Sequence, residues 1–119
     1  MKKKLLIVER DTDILQIIMD IFRDAGYQVS GYTSEEGILE KIFRESPDAI
    51  LLDVVRPTLQ GTALCRAIKA TEKTRHVPVI ALSTHLSFAE IKKICADEVL
   101  AKPFDIDELI ETIDRQVEH

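Results

Sequence analysis

The chain has 119 residues, 45% of them hydrophobic and 31% charged, with a formal net charge of −5 at neutral pH. That length suits a single domain over 1–119 with one core, and the acidic balance argues against nucleic-acid binding as the main task. Two cysteines, Cys65 and Cys95, are too few for a disulfide scaffold and read as small core residues in a reducing compartment.

No apolar run approaches the roughly 20 residues of a membrane span. Met1-Lys2-Lys3-Lys4 is basic, but only Leu5 to Val8 follows before Glu9. A signal peptide needs about 7–15 apolar residues there and a small-residue cleavage site. The expectation is a cytoplasmic protein with neither a membrane nor a nucleic acid as direct partner.

Leu5-Leu6-Ile7-Val8 reads as a buried strand. Ile14, Leu15, Ile17, Ile18, Ile21, Phe22 and Ala25 then follow helical spacing from an Asp11 cap to a Gly26 stop. Gln28 to Tyr32 alternates as a short strand. Thr33 with Glu36 forms a capping box ahead of a helix carrying Ile38, Leu39, Ile42 and Phe43, which Pro47 closes. Ala49 to Leu52 is a second wholly apolar run, ending at Asp53. A loop from Val54 to Thr58 leads to a helix with Ala63, Leu64, Ala67 and Ile68 on one face. Val77 to Leu82 is the next strand, with Pro78 near its start, where proline is tolerated. A Ser87/Glu90 box precedes a helix with Ile91, Ile94 and Cys95. Val99-Leu100-Ala101 is the last strand, and an Asp105/Glu108 box opens a helix through Ile106, Leu109, Ile110, Ile113 and Val117.

This is strand–helix repeated five times. Apolar runs without alternation imply strands buried on both faces, hence a parallel sheet with helices on each side. Right-handed crossovers leave few topologies, and a flavodoxin-like doubly wound α/β sheet of order 2-1-3-4-5 with five helices fits best. In such sheets ligands bind at the carboxyl ends of the strands, where the order reverses. There the sequence places Glu9-Arg10-Asp11 after strand 1, Asp53 after strand 3, Ser83-Thr84 after strand 4 and Lys102 after strand 5. Each has a bland reading alone, Asp11 as a helix cap and Lys102 as a surface lysine. Their joint placement on one rim is harder to dismiss.

Leu6-Ile7-Val8-Glu9, Leu51-Leu52-Asp53-Val54, Pro57, Gly61, Pro78 to Ser83 and Lys102-Pro103-Phe104 together resemble the response-regulator receiver family, the CheY-like superfamily, over nearly the whole chain. The resemblance implies two-component signal transduction: Asp53 accepts a phosphoryl group from a histidine kinase or phosphotransfer protein. The output is contact with a downstream effector, and the domain is not an enzyme. It also implies a Mg²⁺ ion held by Glu9, Asp53 and the Val55 backbone carbonyl, with no other cofactor. Lys102 would act as a point charge on the phosphoryl oxygens and Ser83 as a hydrogen-bond donor to them. A cis peptide is expected before Pro103. Homodimerisation is left open.

Three departures bear on this. Arg10 stands where the family usually has a second metal-binding acid. One unit charge at about 4 Å is worth roughly 4 kcal/mol at an effective dielectric near 20, comparable to all of a millimolar ion site. Either Arg10 lies over Asp53 as an internal cation, or it swings outward and Asp11 supplies the missing oxygen; weakened or absent Mg²⁺ binding is expected. Val99 replaces a common aromatic, so no ring is available to move in concert with Ser83. Ser83 and Lys102 are 19 positions apart, about three fewer than the resemblance suggests, or nearly one helical turn.

A pseudo-receiver, a constitutive interaction module without Mg²⁺-dependent phosphorylation, stays open beside the phospho-acceptor reading: Glu9, Asp53, Ser83 and Lys102 favour phosphorylation, Arg10 and Val99 the pseudo-receiver. Two further readings fare worse. A phosphatase using Asp53 would need an acid two residues on, where Val55 stands. A flavin or nucleotide carrier would need a phosphate-cradling loop, and Glu9-Arg10-Asp11-Thr12 has no glycine.

Overall fold

The computed structural model describes residues 2–54, 62–84 and 95–118. Five strands, β1 (Lys4–Val8), β2 (Gln28–Tyr32), β3 (Ala49–Asp53), β4 (Val79–Ser83) and β5 (Glu98–Ala101), form one sheet of order β2-β1-β3-β4-β5. All four pairings are parallel, as the unbroken apolar runs required. Four helices are found among the described residues: α1 (Thr12–Asp24), α2 (Ile38–Glu45), α3 (Ala63–Ala70) and α4 (Ile106–Val117). The fifth expected helix, with the Ser87/Glu90 box, Ile91 and Ile94, lies outside the described residues, as do Val55, Pro57 and Gly61. No described helix is long and apolar enough to cross a membrane.

The pleat divides the core in two. Leu5 and Ile7, Leu51, and Ile80 and Leu82 face one layer with Ile18 and Phe22 of α1 and Leu109 and Ile113 of α4. The alternate residues Leu6 and Val8, Ile50 and Leu52, and Val79 and Ala81 face Ile38 and Ile42 of α2 and Cys65 and Ile68 of α3. β3 is buried along its whole length because it has helices on both faces and strands on both edges.

Caps set the helix ends. The Asp11 side chain accepts from the backbone N–H groups of Asp13 and Ile14, and Asp105 does the same for Asp107 and Glu108. Gly26 ends the turn after α1 at φ 93°, a conformation that favours glycine. The Thr33/Glu36 box does not open α2. Ser34 Oγ instead accepts from the Glu36 N–H in a local turn, and the helix starts at Ile38 behind Gly37 at φ 71°. The expected apolar stripes are also too wide. Ile17, Phe43 and Ile106 are about half exposed because each helix buries only one narrow face.

Cys65 and Cys95, expected as separate thiols, are joined in a disulfide with a Cα–Cα distance of 6.1 Å. The buried face of α3 and the chain entering β5 pack on the same side of the sheet, which brings together residues 30 apart in sequence.

Tyr27 fastens the turn after α1 to α4. Its hydroxyl donates to Asp114 Oδ1 at 2.5 Å, and its ring meets Phe22 edge-on at 5.3 Å. Burial, followed by the hydrogen bond to Asp114 and that residue's charge, raises the phenol well above its usual value near 10. Above about pH 10 the unfolded chain therefore releases a proton that the folded chain keeps, so this contribution is full at neutral pH and declines as pH rises. Tyr27→Phe is expected to lower unfolding stability by about 1–2 kcal/mol at pH 7. In urea titrations the gap from the wild type should narrow above about pH 10.

Candidate functional site

Backbone bonds running past the strand ends put the polar residues in place. The Glu9 N–H donates to Tyr32 O at 2.9 Å, the Val54 N–H to Leu82 O at 2.8 Å and the Lys102 N–H to Ser83 O at 2.8 Å. Each continues a parallel ladder by one step, so Glu9, Asp53, Ser83 and Lys102 come together at the carboxyl edge of four adjacent strands. The Lys102–Pro103 peptide is cis, as expected.

Lys102 is the hub. Its ammonium donates to Glu9 Oε1 and, at 3.2 Å, to Asp53 Oδ1. Glu9 and Asp53 are only 2% and 7% exposed, so two carboxylates share one cation in a nearly closed setting. Burial raises the Glu9 carboxyl above its usual range; Lys102 and the Asp11 N–H oppose that, while Asp53 adds to it. Burial works to lower the Lys102 pKa, but its bond to Glu9 and the charges of both acids outweigh this and leave it raised. The lysine is therefore a firmly charged ammonium.

Ser83 is buried, and its hydroxyl donates to Val54 O at 2.6 Å, one residue beyond Asp53. It stands on the rim, engaged with backbone rather than with the Asp53 carboxylate. Thr84, exposed, adjoins Ile14 and Ile17 of α1 and Pro103 and Phe104, which make an apolar margin beside Lys102.

Arg10 does not lie over Asp53. Its guanidinium reaches Glu35 Oε2 at 3.2 Å, and half of the side chain is exposed. The cation beside Asp53 is Lys102, whose ammonium also engages Glu9. Arg10 does point outward, and Asp11 Oδ1 accepts from the Asp13 and Ile14 N–H groups at the start of α1. Glu9 Oε2 accepts from the Asp11 N–H at 3.1 Å, which ties the buried acid to the start of that helix.

Magnesium demands near-octahedral oxygen coordination. Among the described residues no group of three or more His, Cys, Asp or Glu side chains is arranged to hold a metal. Glu9 and Asp53 converge on an ammonium, one oxygen of Asp11 caps α1, and Arg10 is a cation. The described side chains do not by themselves make up a magnesium site, and the Val55 carbonyl lies outside the described residues.

Similar proteins share this framework. The chain is 29% identical over 114 residues to sporulation initiation phosphotransferase F of Bacillus subtilis, covering 95% of this chain and 92% of that one. It is 29% identical over 116 residues to the DNA-binding transcriptional regulator NtrC of Klebsiella pneumoniae, where 95% of this chain spans only 24% of the relative. The receiver domain of sensor histidine kinase PA1611 from Pseudomonas aeruginosa PAO1, solved with a magnesium ion coordinated in its active site cleft, superposes with a TM-score of 0.86 at 29% identity and full coverage of both chains. The sequence pattern of the response regulator receiver domain matches residues 5–114. With that match over most of its length, the chain belongs to the response regulator receiver domain family.

Proposed function

We propose that the domain takes part in two-component signalling as a phosphoryl acceptor, with Asp53 as the nucleophile and protein contact, rather than catalytic turnover, as its output. The observation that carries this is the Asp53 carboxylate at the end of the central strand, with the Lys102 ammonium 3.2 Å from its Oδ1. A carboxylate oxygen attacks phosphorus, the bond from phosphorus to the donor's imidazole nitrogen breaks, and the imidazole leaves with that electron pair. Lys102 then stands beside the new acyl phosphate and balances charge on its oxygens. Turning the Ser83 hydroxyl away from Val54 O would give a second donor.

In this reading the donor is a histidine kinase or phosphotransfer protein, and its approach passes over the apolar margin in which Ile17 is 53% exposed. Magnesium, which neutralises phosphoryl charge when bound, would be held by Glu9, Asp53 and the Val55 carbonyl, and only weakly. The test is incubation with acetyl phosphate and Mg²⁺ followed by intact-mass measurement. One added phosphoryl group is expected on the wild type and none on Asp53→Asn. An unmodified wild type, under conditions that label an ordinary receiver, would leave the pseudo-receiver reading in its place. That second reading draws on the outward, Glu35-paired Arg10 where a metal-binding acid was expected.

A further inference from the structure

We propose that Cys65 and Cys95 are a redox modification site: a reversible dithiol–disulfide pair, opened by small thiols and closed by hydroperoxides. The inference is independent of any phosphoryl chemistry at Asp53. Three observations carry it. The two α-carbons are 6.1 Å apart, inside the range a disulfide spans without backbone movement. The two environments differ: Cys65, on the inner face of α3, is fully buried, whereas Cys95, just before β5, is partly exposed. Both belong to the same apolar layer, which also holds Ile38, Ile42, Ile68 and Val79, so the two side chains sit on one packed face of the sheet.

The asymmetry sets the order of events. Cys95 is the more exposed of the two residues, so in this proposal its thiolate is the one that attacks a peroxide oxygen. The O–O bond breaks, and the departing hydroxide takes a proton and leaves as water. The resulting Cys95 sulfenic acid faces Cys65, whose sulfur attacks it. Its hydroxyl group leaves with the Cys65 proton as a second water. The two thiols have together lost two protons and two electrons, and the peroxide has gained them. Reduction starts from a thiolate in solution attacking Cys95, which releases Cys65 as the leaving group. Cys65, shielded from solvent, is spared over-oxidation in both directions.

The bond closes a covalent ring that includes β4, the strand that carries Ser83, and ties α3 to the chain leading into Lys102. A loop of 30 residues is long enough for a large effect on the unfolded chain. The thermal midpoint of the oxidised protein is expected to lie about 10 °C above that of the reduced protein.

The experiment takes the full chain, reduces it with dithiothreitol, removes the reductant and adds a small excess of hydrogen peroxide. The expected product has lost the mass of two hydrogens, and digestion without reductant yields a single Cys65–Cys95 cross-linked peptide. Dithiothreitol added to the folded protein should then restore both thiols and the lower midpoint. Cys95→Ser, at the partly exposed position, should fold and show no redox-dependent midpoint. Peroxide that leaves both thiols open to alkylation, or that carries Cys95 to sulfinic acid without a cross-link, would overturn the proposal. So would a bond that folded protein keeps in dithiothreitol, which would make it a permanent staple.

Discussion

Lys102→Met is expected to lower unfolding stability by about 3 kcal/mol at neutral pH, because it leaves two buried carboxylates without their shared cation. The substitution keeps most of the apolar stem, so the loss reports charge rather than packing. Glu9 loses the partner that holds its pKa down, and its carboxyl moves further above the usual range. An acid whose pKa is raised by folding binds its proton more tightly in the folded chain. Its stabilising contribution is full below the unfolded value, about 4.3, and is lost as pH rises from there through the higher folded value. The gap between variant and wild type should therefore be small near pH 4 and widest near pH 7. Urea unfolding at the two pH values checks this, and a gap that does not change with pH would contradict the shared-cation arrangement. The same variant should slow acetyl phosphate labelling of Asp53 at least about a hundredfold, the usual effect of deleting one donor aimed at developing charge. Lys102→Arg should recover part of the stability but little of the rate, since a planar fork cannot replace a compact ammonium between two acids.

Arg10→Asp is expected to tighten Mg²⁺ binding by about ten- to a hundredfold. Replacing a cation by an acid changes the local charge by two units. Even at about 8 Å and an effective dielectric near 20, each unit is worth roughly 2 kcal/mol before screening. Because the Arg10 side chain is half exposed and turned toward Glu35, the benefit falls well short of that sum. Removing the Arg10–Glu35 pair should cost well under about 1 kcal/mol, so the variant should fold normally. Calorimetric titration with magnesium chloride measures the change, with Arg10→Ala expected between the two. Equal affinity in all three proteins would mean that the charge at this position does not govern the ion.

The sheet could be read almost entirely along the chain because its signals are local. β2 begins and ends where alternation predicted, and the apolar runs at β1 and β3 needed only one more residue each, Lys4 and Asp53. Asp11 and Asp105 behaved as caps because a cap is decided within three or four residues. Thr33 and Glu36 carried the same pattern and failed, since a left-handed Gly37 delays the helix, and the box cannot reveal that. The expected group Glu9, Asp53, Ser83 and Lys102 does meet on one edge, because strand parity and sheet order put it there.

What escaped the sequence depends on distant partners. Arg10 turns to Glu35, 25 residues ahead. Lys102 donates to Glu9, 93 residues behind. Cys65 meets Cys95 only because α3 and the approach to β5 share one layer. No local periodicity encodes such meetings. They follow from the order of the strands, and even with that order in hand the direction of one side chain needs coordinates.

The burial of β3 has a mechanical corollary. Val8 lies opposite Leu52 on one flank, and Leu82 lies opposite Asp53 on the other, so ladder bonds clamp the backbone beneath the acid from two sides. The Asp53 carboxylate is thus mounted on a strand held along both edges. If it accepts a phosphoryl group as proposed, the new charge would arrive on a support with little room to yield. In the phosphoryl-acceptor reading, the response to such a charge would begin in the side chains around the carboxylate rather than in the strand beneath it.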